Sequence, residues 1–83
     1  MKSILYFSTE WCQPCKSFFP VVQEVCSTTG TALQKVDAEQ NKSLAASYNV
    51  TAVPTIVILG DGNPINRHTG VMSKSQLTNL LIN

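Results

Sequence analysis

The stretch Ser3-Ile4-Leu5-Tyr6-Phe7-Ser8-Thr9-Glu10-Trp11-Cys12-Gln13-Pro14-Cys15-Lys16 decides how the chain is organised. Ser3 to Phe7 is continuous, apolar and aromatic, the pattern of a strand buried on both faces. Ser8-Thr9-Glu10 supplies helix-start chemistry. Beyond it, Cys15, Phe19, Val22 and Cys26 recur at helical spacing along one face. A helix is therefore predicted from Cys12 onward, kinked at Pro20 and ending before Gly30. Two cysteines three positions apart at a helix start lie close enough to form a disulfide. The unpaired N–H groups and partial positive charge of a helix N-terminus favour thiolate over thiol. Thiolate is the species that attacks a disulfide. Cys12, on the outermost turn, reads as the nucleophile, and Cys15, one turn in and facing the core, as the resolving thiol. Pro14 removes an amide hydrogen that has no helical partner and stiffens the turn.

Downstream, the chain alternates short elements. Ala32 to Asp37 is a strand, and Asn41 to Tyr48 a short helix with Leu44, Ala45 and Tyr48 inward and Asn49 as a left-handed cap. Thr55 to Leu59 is a β-branched, buried strand. Gly60-Asp61-Gly62-Asn63-Pro64 is a turn, and Ile65 to Thr69 returns antiparallel. Ser73 and Gln76 form a capping-box pattern ahead of Leu77, Leu80 and Leu81. The order β-α-β-α-β-β-α predicts a right-handed parallel crossover followed by an antiparallel hairpin. The result is an α/β fold with a four-stranded mixed sheet and helices on both faces.

Composition narrows the function. At 83 residues the chain is expected to be a single domain, residues 1–83, with one modest core. Charged residues are 13% and the net charge is +1, so no basic field exists to hold nucleic acid or an anionic membrane. Neither a signal-peptide core nor a membrane-spanning run is present, which places the protein where it is made, in a reducing cytosol. Three cysteines, two of them in a C-x-x-C pair, point to redox chemistry or metal rather than a secreted disulfide scaffold. A zinc knuckle needs four ligands, and the remaining candidates, Cys26 and His68, are not spaced as a ligand pair. Cys26 reads as a buried thiol, with a regulatory disulfide as the alternative. His68 reads as a solvated edge-strand residue, and Gly60 and Gly62 as turn glycines without the lysine and hydroxyl of a phosphate loop. Trp11, beside Cys12, reads as contact surface. Lys16 either tunes the thiolate weakly or is solvated.

These landmarks resemble the thioredoxin family. Trp-Cys-x-Pro-Cys-Lys matches the family's active-site motif at Trp11 to Lys16, and Pro20 matches its later helix proline. Val53-Pro54-Thr55 matches the segment facing the active site, and Gly62 and Gly70 match the turn glycine and the glycine before the last helix. The resemblance starts at the strand feeding the active site, without the family's first strand and helix. It implies a cis peptide before Pro54, which would present the Val53 backbone to a substrate strand. It also implies a contact patch beside Cys12 made by Trp11, Gln13, Pro14, Val53, Pro54, Gly70 and Val71. Three positions depart from the family. Tyr6 stands where a buried aspartate is usual, Leu33 where that aspartate's lysine partner often lies, and Gln13 where glycine follows the nucleophile. In place of the carboxylate, the Tyr6 hydroxyl is expected to donate a hydrogen bond to the Cys15 thiolate.

The activity so implied is reduction of protein disulfides through a Cys12 mixed disulfide resolved by Cys15. It needs no cofactor beyond the Cys12–Cys15 disulfide. Its partners would be disulfide-bearing substrate proteins and a thioredoxin reductase as electron donor, with the protein a monomer. Two other uses are weighed. A glutaredoxin-type, glutathione-dependent reductase fits the short length but lacks a Gly-Gly segment before the last helix and a basic cluster for glutathione. A non-catalytic binding subunit would use the same patch.

Overall fold

The computed structural model describes residues 1–82. Its elements are β1 (Lys2–Ser8), α1 (Gln13–Thr29), β2 (Ala32–Asp37), α2 (Lys42–Ser47), β3 (Thr55–Gly60), β4 (Asn63–Thr69) and α3 (Lys74–Ile82). One sheet runs β2-β1-β3-β4, with β1 parallel to β2 and antiparallel to β3, and β3 antiparallel to β4. The predicted fold, element order and mixed sheet are all present.

Successive strand residues face opposite sides of a sheet, and the buried side chains divide accordingly. Ile4 and Tyr6 of β1 and Ile56 and Ile58 of β3 pack with Phe18, Val22, Val25 and Cys26 of α1 and Leu77 and Leu81 of α3. Leu5, Phe7, Val57 and Leu59 face the other way, onto Val36, Ala45 and the partly buried Leu44, Tyr48 and Val50. Ile4 to Phe7 are all buried, on both faces of the sheet, which is why that run carries no alternation.

The apolar stripe of α1 is wider than its spacing suggests. Phe18 and Val25 are buried along with Cys15, Val22 and Cys26, while Phe19 is half-buried. A helix wedged between a sheet and a second helix needs more than one row of apolar side chains. The helix is continuous across Pro20. Proline cannot donate to the carbonyl of Lys16, but both residues are exposed and water can satisfy that group. Gly30 closes α1 in the left-handed conformation, its N–H returning to the Cys26 carbonyl.

The second helix is shorter than Asn41 to Tyr48, because those two residues are its caps. Asn49 follows in the left-handed region, with φ 57°. The hairpin turn is tight. Gly60 pairs with Asn63, leaving Asp61 and Gly62 at φ 51° and 88°, the positive dihedrals that two-residue hairpin loops demand. Pro64 is tolerated because β4 is an edge strand and its register shifts beside it. At α3 the capping box is reciprocal. The Gln76 N–H donates to Ser73 Oγ at 3.1 Å, and the Ser73 N–H to Gln76 Oε1 at 3.0 Å.

Candidate active site

Buried β1 delivers the chain to the top of the sheet, and the Thr9–Cys12 turn feeds α1, with the Cys12 N–H reaching the Thr9 carbonyl at 3.3 Å. Cys12 is the N-cap, extended at φ −85° and ψ 104°, and Pro14 lies in the first helical turn. Its Sγ accepts the backbone N–H of Cys15 at 3.2 Å. That is the position a serine or aspartate oxygen takes in an ordinary N-cap. Cys12 and Cys15 are joined as a disulfide with Cα atoms 5.3 Å apart. No acidic residue occupies the first turn of α1, so the positive end of the helix is not neutralised there. Both cysteines are nearly covered, Cys12 at 5% exposure and Cys15 at 2%. Attack on either sulfur therefore requires a substrate that fits closely.

The patch residues are gathered partly by direct contacts. The Val53–Pro54 peptide is cis. Thr55 braces that bend, donating from Oγ1 to the Ala52 carbonyl at 2.7 Å. The Gly70 N–H donates to the Pro54 carbonyl at 2.8 Å, with Gly70 at φ 95°, a dihedral that favours glycine. Val71 follows, 57% exposed. Trp11 is 68% exposed and shares with Val53 a groove of about 530 Å³. Gln13 and Pro14 are exposed on the first turn of α1, and Lys16 just beyond them.

Tyr6 departs from expectation. Its hydroxyl donates to the main-chain carbonyl of Cys15 at 2.7 Å, not to the sulfur. A phenol has one O–H, and in the disulfide form that O–H goes to the helix backbone rather than to the Cys15 sulfur. Burial pushes this phenol up to about 12, so it stays protonated at neutral pH. Its ring packs against Phe18 and Phe19, with centroids 6.0 Å and 5.1 Å away. Leu33 is half-buried against the same core. Cys26 is a free, buried thiol that burial pushes up to about 11. Such a thiol is poor both as nucleophile and as ligand.

Several contributors escaped the sequence reading. Glu39 Oε1 accepts the Trp11 indole N–H at 2.8 Å. Glu39 is itself placed by Asp37, whose Oδ1 accepts the N–H groups of Glu39 and Gln40. The aspartate ending a strand was the available signal, since Asp favours such turns. His68 is half-buried rather than solvated, its Nε2 lying 3.4 Å from the Val71 carbonyl. Behind Cys15 opens a polar cleft of about 640 Å³ lined by Ser8, Thr9, Glu10, Lys16, Lys35 and Asp37. Among the described residues, no group of three or more His, Cys, Asp or Glu side chains is placed to hold a metal. Nor is any helix long and apolar enough to cross a membrane.

A disulfide across the first turn of a helix, carried on a mixed sheet with helices on both faces, is the working arrangement of a thiol-disulfide oxidoreductase. Known proteins agree. A family model described as Thioredoxin matches residues 1–83. A thioredoxin from Staphylococcus aureus is 36% identical over 77 residues, covering 90% of this chain and 74% of the relative. The structure of a mutant thioredoxin from Halobacterium salinarum superposes with TM-score 0.92 at 32% identity, covering 96% of this chain and 71% of that one. Fasciola hepatica thioredoxin superposes at 0.86, also at 32% identity, covering 96% and 77%. The chain belongs to the thioredoxin family, and its activity is thiol-disulfide exchange. A glutaredoxin-type activity is not favoured.

Proposed function

We propose that the protein is a general protein disulfide reductase, residues 1–83 acting as one domain, in which Cys12 attacks and Cys15 resolves. The observation that carries this assignment is the Cys12 Sγ at the N-cap of α1, accepting a helix amide at 3.2 Å. The same N–H that it accepts in the disulfide favours its thiolate once reduced. The Cys12 thiolate attacks one sulfur of a substrate disulfide, displacing the other as a thiolate and forming a mixed disulfide. Cys15 then attacks Cys12 Sγ, releasing the second substrate thiol and regenerating the Cys12–Cys15 disulfide. Two electrons pass from the dithiol to the substrate.

Trp11, Gln13, Pro14, Val53, Pro54, Gly70 and Val71 form the contact patch, with the Val53 backbone pairing to an extended substrate segment. The likeness to thioredoxins supports disulfide-bearing proteins as substrates and a thioredoxin reductase as electron donor. The low charge and the reducing chemistry support a cytoplasmic monomer that binds neither nucleic acid nor membrane.

The test is reduction of insulin by dithiothreitol in the presence of the protein. The wild type is expected to accelerate it and Cys12→Ser to abolish the acceleration. Cys15→Ser is expected to accumulate mixed disulfides with substrate. Trapping by Cys12→Ser instead would reverse the assignment. A non-catalytic role predicts that the double Cys12→Ser, Cys15→Ser variant retains full biological function, an outcome that would displace the reductase reading.

A further inference from the structure

The loop that carries Val53 runs from the end of α2 to the start of β3, and it is anchored at both ends. At its far end the Gly70 N–H, just past β4, donates to the Pro54 carbonyl at 2.8 Å, and Thr55 Oγ1 donates to the Ala52 carbonyl at 2.7 Å. At its near end stands Arg67, the only arginine in the chain. Its backbone is fixed in the sheet, opposite Val57 of β3. Its guanidinium crosses to the loop, where Nη1 donates to the Tyr48 carbonyl and Nη2 to the Asn49 carbonyl at 3.2 Å.

Those two carbonyls need a donor from elsewhere. A helix leaves its last carbonyls without intrahelical partners. In α2 the carbonyls of Leu44, Ala45 and Ala46 accept the N–H groups of Tyr48, Asn49 and Val50. Asn49 then turns left-handed, at φ 57°, and the chain leaves the helix. No basic residue lies in the last turn of α2, so Arg67 brings both the donors and the positive charge that the negative end of a helix favours. A planar guanidinium that meets two successive carbonyls fixes their directions, which a single point charge does not. The direction matters because Val53 lies only four residues beyond Asn49. Between them Val50 is packed against the core, while Thr51 and Ala52 are exposed. Among the described residues, neither the N–H nor the carbonyl of Val53 has a backbone partner. Both are free to pair with another chain, and their orientation follows from the two anchored ends of the loop.

We infer that Arg67 is a positioning residue for substrate binding: by clamping the Tyr48 and Asn49 carbonyls it holds the Val53 backbone in the line that an extended substrate segment must match. The inference deepens the proposed reductase reading and rests on it. Arg67 itself touches neither sulfur nor substrate. A loop ordered in advance lowers the ordering cost of binding. Strand pairing at Val53 is present in the bound complex and persists through the exchange. Its loss therefore weakens ground state and transition state alike, which raises KM and leaves kcat in place. A small disulfide without peptide groups cannot pair with Val53 and gains nothing from the clamp.

The experiment compares the wild type, Arg67→Met and Arg67→Lys in insulin reduction at saturating dithiothreitol over a range of insulin concentrations, with urea midpoints measured alongside. Arg67→Met keeps an unbranched stem and removes both donors. Its KM for insulin is expected to rise roughly threefold to tenfold, with kcat within about twofold of the wild type. Arg67→Lys replaces the planar fork by one ammonium and is expected to fall between the two. The reduced proteins, freed of dithiothreitol, are expected to react with bis(2-hydroxyethyl) disulfide at the same rate. A role confined to capping α2 moves the urea midpoint and not KM, so an unmoved KM in Arg67→Met overturns the inference. An equal loss toward insulin and the small disulfide also overturns it, because the cysteines and not the substrate line would then be disturbed. If Arg67→Met does not fold, Arg67→Lys decides, and a wild-type KM in that variant overturns the inference. A wild type that fails to accelerate insulin reduction removes the reductase reading and this inference together. An active wild type with an unmoved KM in the variants removes the inference alone.

Discussion

Tyr6 shows how one atom's position redirects a function. Its hydroxyl is 2.7 Å from the Cys15 carbonyl, an oxygen that also lies within the α1 hydrogen-bond ladder. Tyr6→Phe is therefore expected to lower stability by about 1 kcal/mol, a typical net value for a neutral hydrogen bond. Removing the hydroxyl does not create a cavity as large as a lost ring, and the contacts with Phe18 and Phe19 survive. The Cys15 thiol titration is expected to stay in place, because the lost O–H was not aimed at sulfur. Urea unfolding and thiol titration of the same variant check both halves. A shifted Cys15 titration would mean that the hydroxyl turns to the sulfur when the disulfide is reduced. The sequence could place Tyr6 beside Cys15 but could not choose between sulfur and carbonyl. That choice depends on where β1 passes beneath α1, a distance of a few ångströms that no local pattern encodes.

Among the elements, α3 is the simplest to perturb. It has nine residues, and it holds Leu77 and Leu81 against α1 and the sheet. Isolated helices of that length are unstable, so capping and packing must hold it. Ser73→Ala removes the oxygen that accepts the Gln76 N–H and is expected to cost about 1 kcal/mol. Catalysis in the folded enzyme is expected to be unchanged, since Ser73 touches none of the exchange residues. Chemical denaturation beside an insulin-reduction assay separates the two effects. A loss well under half of that value would mean that water replaces the cap.

This helix was legible because its signals are local: a serine, a glutamine three residues on, then leucines at helical spacing. The hairpin was legible for the same reason, through Asp61-Gly62, and the C-x-x-C pair announced both the helix start and the chemistry. What the sequence hid is what depends on tertiary approach. Examples are the second apolar row of α1 at Phe18 and Val25, the Glu39 carboxylate under Trp11, the half-buried ring of His68, and the cleft lined by Lys35. The Trp11–Glu39 contact and the cleft walls join residues far apart in the chain, and no spacing betrays them. The cis bond at Pro54 came from family resemblance alone, since most X–Pro bonds are trans.

At the scale of the whole molecule, the core contains two groups whose neutral forms the fold prefers. Tyr6 is fully buried and Cys26 is 4% exposed. Burial pushes them up to about 12 and about 11, against ordinary values of about 10 and 8.5 in an unfolded chain. For both groups the folded state holds its proton to higher pH than the unfolded state does. Their contribution to stability is therefore complete below the unfolded values and declines as pH rises toward the folded ones. The decline starts near the ordinary thiol value with Cys26 and steepens near the phenol value when Tyr6 joins it. Each group adds at most about 1.4 kcal/mol of lost stability per pH unit. The measurement is best made on the oxidised protein, in which Cys12 and Cys15 are joined and do not titrate. Urea midpoints are expected to be insensitive to these two groups at neutral pH and to fall progressively above it. Cys26→Ala is expected to be less stable at neutral pH, through the small cavity it leaves. Its stability is nevertheless expected to fall more shallowly than the wild type's in the first part of the alkaline range. Tyr6→Phe, from its lower starting stability, is expected to fall in parallel with the wild type early and to diverge from that slope only in the higher range. Parallel alkaline slopes for all three proteins would show that Cys26 and Tyr6 do not drive the loss, leaving the general charge imbalance of a deprotonating chain as its cause.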